Sequence, residues 1–409
     1  MTALQLHRDL PRYLALKAAG GWLPAAATVA LAPLRLAEAA APVLPGPGWV
    51  RVRPLLSGIC GSDLATLTGA SSLYLSPLVS LPFTLGHEVV GELLDDAPGL
   101  PAGTRVVLDP VLSCLARGLE PCPACSSGGT NRCARVTLGH VSPGLQTGYC
   151  RDTGGGWSGG LVAHVSQLHA VPGGLSDERA VLAEPLACAV HAARRGFVEQ
   201  GASVLVVGAG TVGLLVLHAL RALTPAGRVT VVAKHPRQAQ LARDLGADEV
   251  VGPAAATTAV RRSSAAVRLT PERGADLLLG GVDVAVECTG SASALAQALR
   301  TTRAGGRIVL AGMPPPADLT PAWFRELELV GSYAACADDH RVALDLLGDP
   351  RLAGLRTSWH PLARYREALD EAGDAGRLGL AKVGFDLRNE RDLEGERDLR
   401  DERDQEGRA

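Results

Sequence analysis

Two rhythms of apolar residues divide the chain. Up to about residue 192 they come in short runs broken by Gly and Pro, as in Trp49-Val50-Arg51-Val52-Arg53, Val89-Val90-Gly91-Glu92-Leu93 and Arg105-Val106-Val107-Leu108. Such spacing predicts a strand-rich, loop-rich domain, a partly closed barrel. From about 193 to 330, four apolar runs at Val204–Val207, Val229–Val232, Val282–Glu287 and 307–310 alternate with helical stretches such as 214–223. Near-continuous apolar strands alternating with helices are buried on both faces, so this part is read as α/β, a doubly wound parallel sheet. Residues 331–387 return to mixed composition. From 388 to 409 the chain is charged, with a six-residue repeat at 390–395, 396–401 and 402–407 in which only Leu393 and Leu399 are apolar. That period matches no helical seam and buries no face, so a disordered or fraying tail is expected.

Length and charge narrow the picture. A chain of 409 residues has room for two domains, or one interrupted by another. A net charge of -2 and a pI near 6.6 provide no basic stripe, which argues against nucleic acid and anionic membrane as partners. The apolar stretch 14–33 is broken by Gly20, Gly21 and Pro24 and lacks the layout of an export signal, and no run reaches the length of a membrane span. Nine cysteines, four of them clustered, fit metal ligation in a reducing, cytoplasmic setting better than a disulfide framework.

The candidate chemistry starts at Cys60, in Gly58-Ile59-Cys60-Gly61-Ser62-Asp63, and at His87 and Glu88, in Gly86-His87-Glu88-Val89-Val90-Gly91. A zinc ion used for chemistry takes about three protein ligands of the Cys, His and carboxylate kind and leaves a further position open. Glu184, in Ala183-Glu184-Pro185, supplies the remaining carboxylate. Taken singly, Cys60 also reads as a small buried hydrophobe and His87 as a core histidine. Cys114, Cys122, Cys125 and Cys133 fall in a Gly- and Pro-rich loop, where four thiolates around a second, structural zinc would staple a segment with little core of its own. Next comes Gly208-Ala209-Gly210-Thr211-Val212-Gly213, after an apolar strand and before a helix. This is the dinucleotide fingerprint: Gly208 for the turn, Gly210 for close approach of the pyrophosphate, Gly213 for helix–strand packing. The residue that reads the adenosine ribose, at the end of the next strand, is Ala233, followed by the cations Lys234 and Arg237. With no carboxylate there, the pattern leans to NADP alongside NAD.

The constellation resembles the zinc-dependent medium-chain dehydrogenases, the alcohol, polyol and threonine dehydrogenases, from about residue 34 to 385, with 12–30 looking like an insertion. The resemblance implies a GroES-like barrel (1–192) with a structural-zinc lobe, a Rossmann domain (193–330), a return segment (331–387) that completes the first domain, and a substrate cleft between the two. It implies that Cys60, His87 and Glu184 hold the catalytic zinc, that Glu88 is a further ligand or stands close behind, that Asp63 orients His87, and that Ser62 is the first proton acceptor. The expected reaction is hydride transfer between a primary or secondary alcohol, or the matching carbonyl, and NADP or NAD. The expected partners are that small molecule and further copies of the chain, as dimer or tetramer. Two departures stand out: the gap from Cys114 to Cys122 is longer than in the family, and Ala65 stands where many relatives carry a proton-relay histidine. Release of the proton is then expected through water or His164. The apolar stretch Ser71-Ser72-Leu73-Tyr74-Leu75 suggests a bulky or weakly polar alcohol. Two alternatives remain: a zinc-fold protein without turnover that serves as a binding module, and an NADP-dependent reductase acting on another carbonyl or an enone.

Overall fold

The computed structural model describes residues 1–19 and 29–389. The repeat tail from 390 onward and residues 20–28 of the expected insertion lie outside the described residues. The chain forms two compact units: one comprises 1–182, 357–373 and the chain from 383, the other 183–356 and 374–382.

The second unit is built on six parallel strands in the order Glu249–Val251, Val229–Val232, Val204–Val207, Val282–Glu287, Thr302–Leu310, Glu328–Gly331. Val204–Val207 and Val229–Val232 are buried along their whole length, as strands covered on both faces must be. The order reverses beside Val204–Val207, which pairs with Val229–Val232 on one side and with 284–287 on the other. The carboxyl ends of strands at such a reversal are where doubly wound sheets bind ligands. The helix predicted over 214–223 begins three residues earlier, as Thr211–Leu223, because Gly210 is its cap. The strand predicted over 307–310 runs from Thr302; its register against Val282–Glu287 jumps between Thr302 and Arg307, so the polar turn 303–306 bulges out of the ladder.

The domain boundaries differ from those expected at 192 and 330. Helix Ala183–Arg195 goes with the second unit because its Leu186, Ala187, Val190 and Ala193 are buried there and its polar edge is tied to helix Ala337–Leu346. Asp339, 1% exposed, takes His191 Nδ1 at 3.0 Å and Arg194 Nη1 at 2.6 Å. The same tie keeps 331–356 in this unit, so the return to the first unit starts at Thr357.

The first unit is a curved antiparallel sheet in the order Thr357–His360, Lys382–Asp386, Trp49–Gly58, Val89–Leu93, Arg105–Leu108, Leu168–Ala170, with Leu161–His164 paired to the front half of Trp49–Gly58. Trp49–Gly58 runs five residues beyond the predicted Arg53 because a register shift between Pro54 and Leu56 accommodates the proline, which has no donor. A smaller sheet joins Leu34–Glu38, Thr2–Leu6 and Phe83–Thr84. Trp157, fully buried, donates its ring N–H to Gly58 O at 3.1 Å and meets Phe385 edge-on, with centroids 5.2 Å apart. No described helix is long and apolar enough to cross a membrane.

The Asp339 tie has a measurable consequence. Burial opposes ionisation of this carboxyl, but His191 and the N–H and thiol of Cys336 hold it down at about 2. A depressed carboxylate stabilises the fold fully above its unfolded value near 4 and loses that contribution as pH falls toward 2. Asp339→Ala, which removes the buried carboxylate that His191 and Arg194 share while Arg194 keeps Asp338, should cost about 3 kcal/mol. Urea midpoints of wild type and variant should differ at pH 7 and converge as pH drops from 4 to 2; equal midpoints at pH 7 would show that the tie contributes nothing.

Candidate metal and cofactor sites

Cys60 is the cap of the short helix Gly61–Leu67, and Asp63, in its first turn, accepts the Cys60 N–H at 2.9 Å through Oδ2. Asp63 has no exposed surface. Its other oxygen faces His87 Nδ1 at 3.4 Å and accepts the Tyr149 hydroxyl at 3.3 Å. The His87 contact is an ion-pair approach, not an aligned hydrogen bond, since Nδ1 meets no hydrogen-bond geometry. It nonetheless turns Nδ1 toward the carboxylate and leaves Nε2 as the ring's remaining donor. Burial disfavours the charged imidazole, but the Asp63 carboxylate and, less strongly, the Cys60 side chain outweigh it and raise the His87 pKa well above the usual value. A soft thiolate and an imidazole backed by a buried carboxylate form a donor pair that demands a cation, which fits zinc.

Backbone packing sets the position of His87. Gly86 adopts φ +96, and a Cβ there would lie 2.4 Å from Trp157 Cδ1 and 2.9 Å from Ser57 Oγ. Glu88 is buried beside His87, and its carbonyl accepts the Gly58 N–H at 2.9 Å. Cys60, His87 and Glu88 do not draw together as tightly as the lobe cysteines do. Glu184, 7% exposed, opens helix Ala183–Arg195 in the other unit and accepts the Cys188 thiol at 3.3 Å, one helical turn on. Ser62 is exposed on the first turn of its helix. Burial, then the Asp63 charge, pushes the Tyr149 phenol upward. His164 caps the Val165–Gln167 turn, with Nδ1 2.8 Å from Ser166 Oγ and its ring over Gly48.

The lobe gathers all four cysteines. The Sγ atoms of Cys114, Cys122, Cys125 and Cys133 lie within 4.8 Å of one another, with Cys114 and Cys133 at 3.5 Å. The long gap before Cys122 is taken up by a turn whose Leu119 N–H returns to Cys114 O at 2.9 Å. Amides point at the sulfurs: Cys122 N at Cys114 and Arg135 N at Cys133, both at 3.4 Å. Backbone donors of Ala134 and Cys125 pull the Cys122 thiol down to about 6, whereas burial pushes Cys125 up to about 12. Four converging sulfurs with amide donors suit a closed zinc site.

In the second unit Gly208 has φ +108, and a Cβ on it would meet Thr289 Cγ2 at 2.4 Å; one on Gly213 would lie 1.9 Å from Gly208 O. Gly210 faces open space at the head of helix Thr211–Leu223, the cradle that a pyrophosphate would fill. The Thr211 hydroxyl is already bonded to Ala381 O, so Thr211 and Val212 can offer their N–H groups. Ala233 is buried at the end of Val229–Val232, and Lys234 and Arg237 are exposed beyond it.

Sequence reading missed Tyr149, Thr66 and Glu287. Glu287 is buried at a strand end and accepts Thr289 N at 2.7 Å and Gly290 N at 3.0 Å, so it shapes the turn against Gly208. The available signal was Gly148, next to Tyr149, whose backbone packs against Gly86.

Comparison with known proteins places both units. The alcohol dehydrogenase GroES-like domain matches residues 46–173, and the zinc-binding dehydrogenase domain matches 211–349. An L-idonate 5-dehydrogenase of Vitis vinifera is 31% identical over 297 residues, 70% of this chain and 74% of the relative. A sorbitol dehydrogenase of Arabidopsis thaliana is 32% identical over the same shares. A crystal structure of a zinc-binding dehydrogenase from Sinorhizobium meliloti 1021, bound to NADP, covers 86% of this chain and 95% of its own at 27% identity, with a TM-score of 0.62. The chain therefore belongs to the zinc-dependent medium-chain dehydrogenases and is an NAD(P)-linked alcohol dehydrogenase.

Proposed function

We propose that this enzyme oxidises a secondary alcohol with an apolar flank, or reduces the matching ketone, with Cys60, His87 and Glu184 as ligands of a catalytic zinc and Ser62 as first proton acceptor. The observation that carries this reading is the buried Asp63 between Cys60 and His87. A zinc held by Cys60, His87 and Glu184 would supply the Lewis acidity that lowers the pKa of an alcohol, and NADP or NAD held at the glycine turn would supply the hydride acceptor. Asp63 keeps His87 in one tautomer, Ser62 takes the hydroxyl proton, and the amides of Thr211 and Val212 would hold the pyrophosphate. Glu88, buried beside His87, supports the site from behind. Cys114, Cys122, Cys125 and Cys133 hold the second, structural zinc.

Relatives are named for L-idonate, a polyhydroxy acid, and sorbitol, a polyol, which supports a secondary carbinol. Leu73 and Tyr74, exposed at 60% and 82% on the turn Leu73–Leu78, support an apolar flank. A homo-oligomer, dimer or tetramer, is supported by exposed Trp323 and Phe324 near the edge strand Glu328–Gly331, and a cytoplasmic setting by nine free cysteines.

Elemental analysis should return about two zinc per chain. Cys122→Ser should lose one zinc and lower the melting temperature, while Cys60→Ser should lose the other and turnover with little change in melting. A Cys122→Ser variant that melts like wild type would remove the structural assignment.

The enzyme should also use NADP at least as well as NAD. Nothing at Ala233 holds a ribose diol or repels a 2′-phosphate, and Lys234 and Arg237 can pair with that phosphate. Their exposure limits the preference to about tenfold, roughly 1.4 kcal/mol. Ala233→Asp should reverse it. A wild-type kcat/KM favouring NAD tenfold or more would show that the two cations are plain surface charges.

A further inference from the structure

The long stretch between Cys114 and Cys122 carries an arginine with no exposed surface, Arg117. Its guanidinium is spent on backbone carbonyls: Nε donates to Leu112 O at 3.0 Å, Nη1 to Leu138 O at 2.9 Å and Val141 O at 3.1 Å, and Nη2 to Gly144 O at 2.6 Å. Leu112 precedes the first lobe cysteine, and Leu138 to Gly144 follow the last. One side chain therefore ties the chain entering the lobe to the chain leaving it. The backbone fixes its place: the Arg117 N–H reaches Cys114 O at 3.1 Å, and its carbonyl accepts the His140 N–H at 3.0 Å. Gly139, at φ +89, passes so close that a Cβ there would lie 2.2 Å from that carbonyl.

Carbonyls solvate a guanidinium without neutralising it, and a buried cation that lacks an anion is costly. Burial lowers the Arg117 pKa, while the charges of Cys150, Cys133, Cys114 and Asp152 act the other way. Two of these are otherwise engaged. Asp152 accepts the Ser142 N–H at 2.6 Å, and Cys150, whose pKa burial pushes up, donates its thiol to Ser142 O at 3.5 Å. Cys114 and Cys133 belong to the lobe, where a zinc bound by four thiolates is a buried dianion.

We propose that Arg117 is the counter-cation built into the lobe for that dianion, and that its charge, beyond its clamp, tightens the hold of Cys114, Cys122, Cys125 and Cys133 on zinc. This role rests on the reading of the lobe as a structural zinc site. A clamp alone would support the fold alike with and without the metal, whereas a counter-cation supports it chiefly when the dianion is there.

Competition for zinc against a chromogenic chelator, in a Cys60→Ser background that leaves the lobe as the site read, measures the hold. Arg117→Met, similar in length and uncharged, should weaken it about tenfold or more, while Arg117→Lys, which keeps the charge and loses the fork, should stay within about threefold. Melting gives a second readout: Arg117→Met should lower the melting temperature of the zinc-loaded enzyme by more than it lowers that of Cys122→Ser. Equal falls in the two backgrounds, or a Lys variant as weak as the Met variant, would show a plain structural clamp and overturn the proposal. If Arg117→Met does not fold, the Lys variant decides: near wild-type affinity supports the counter-cation, and a tenfold loss overturns it. A Cys60→Ser chain that holds no zinc removes the lobe reading itself, whereas one that holds zinc as tightly with Arg117→Met as without it removes the role of Arg117 alone.

Discussion

The candidate site of the first unit depends on one fully buried carboxylate. A buried charge is costly unless every oxygen finds a partner, and Asp63 finds three: the Cys60 N–H, the His87 ring and the Tyr149 hydroxyl. Satisfying Asp63 therefore fixes the cap of one helix, the orientation of an imidazole on a separate strand entry, and a phenol more than eighty residues further along. The donor pair is aimed before any metal arrives. That pre-set geometry is what a Lewis-acid site needs, because time and energy spent gathering ligands would be taken from the reaction.

Both units solve the rest of the problem with backbone packed against neighbouring groups. At Gly86 the obstacle is Trp157, at Gly208 it is Thr289, and at Gly213 it is the carbonyl of Gly208. Each glycine brings a functional stretch closer than a Cβ allows: His87 to the core in one unit, the helix start to the strand end in the other. Gly210 differs, because its missing side chain leaves open space, which is what a phosphate requires.

How much of this the sequence revealed follows from how local each feature is. The strands Val204–Val207, Val229–Val232 and Val282–Glu287 were legible because burial on both faces writes an unbroken apolar run. The glycine fingerprint and the four lobe cysteines were legible because their spacing is short. The start of the second unit was not: helix Ala183–Arg195 is assigned by its contact with Asp339, about 150 residues away, which no local pattern announces. Tyr149 and Thr66 were hidden for the same reason, since their hydroxyls meet only once the Gly61–Leu67 helix and the loop around Gly148 are folded together. The chain's departure from its family at the long Cys114–Cys122 gap is absorbed by the turn that Leu119 closes onto Cys114.

The central claim is that Cys60 and His87 serve an open metal site distinct from the closed lobe of four thiolates. Replacing zinc with cobalt(II) and recording the visible and near-ultraviolet spectrum tests it most directly, because sulfur ligation and coordination number both mark the cobalt bands. The account predicts two environments: one rich in thiolate and indifferent to ligands, and one with a single thiolate that shifts when cofactor and alcohol are added and disappears in Cys60→Ser. A spectrum with only the ligand-insensitive thiolate site, unchanged by Cys60→Ser, would contradict it.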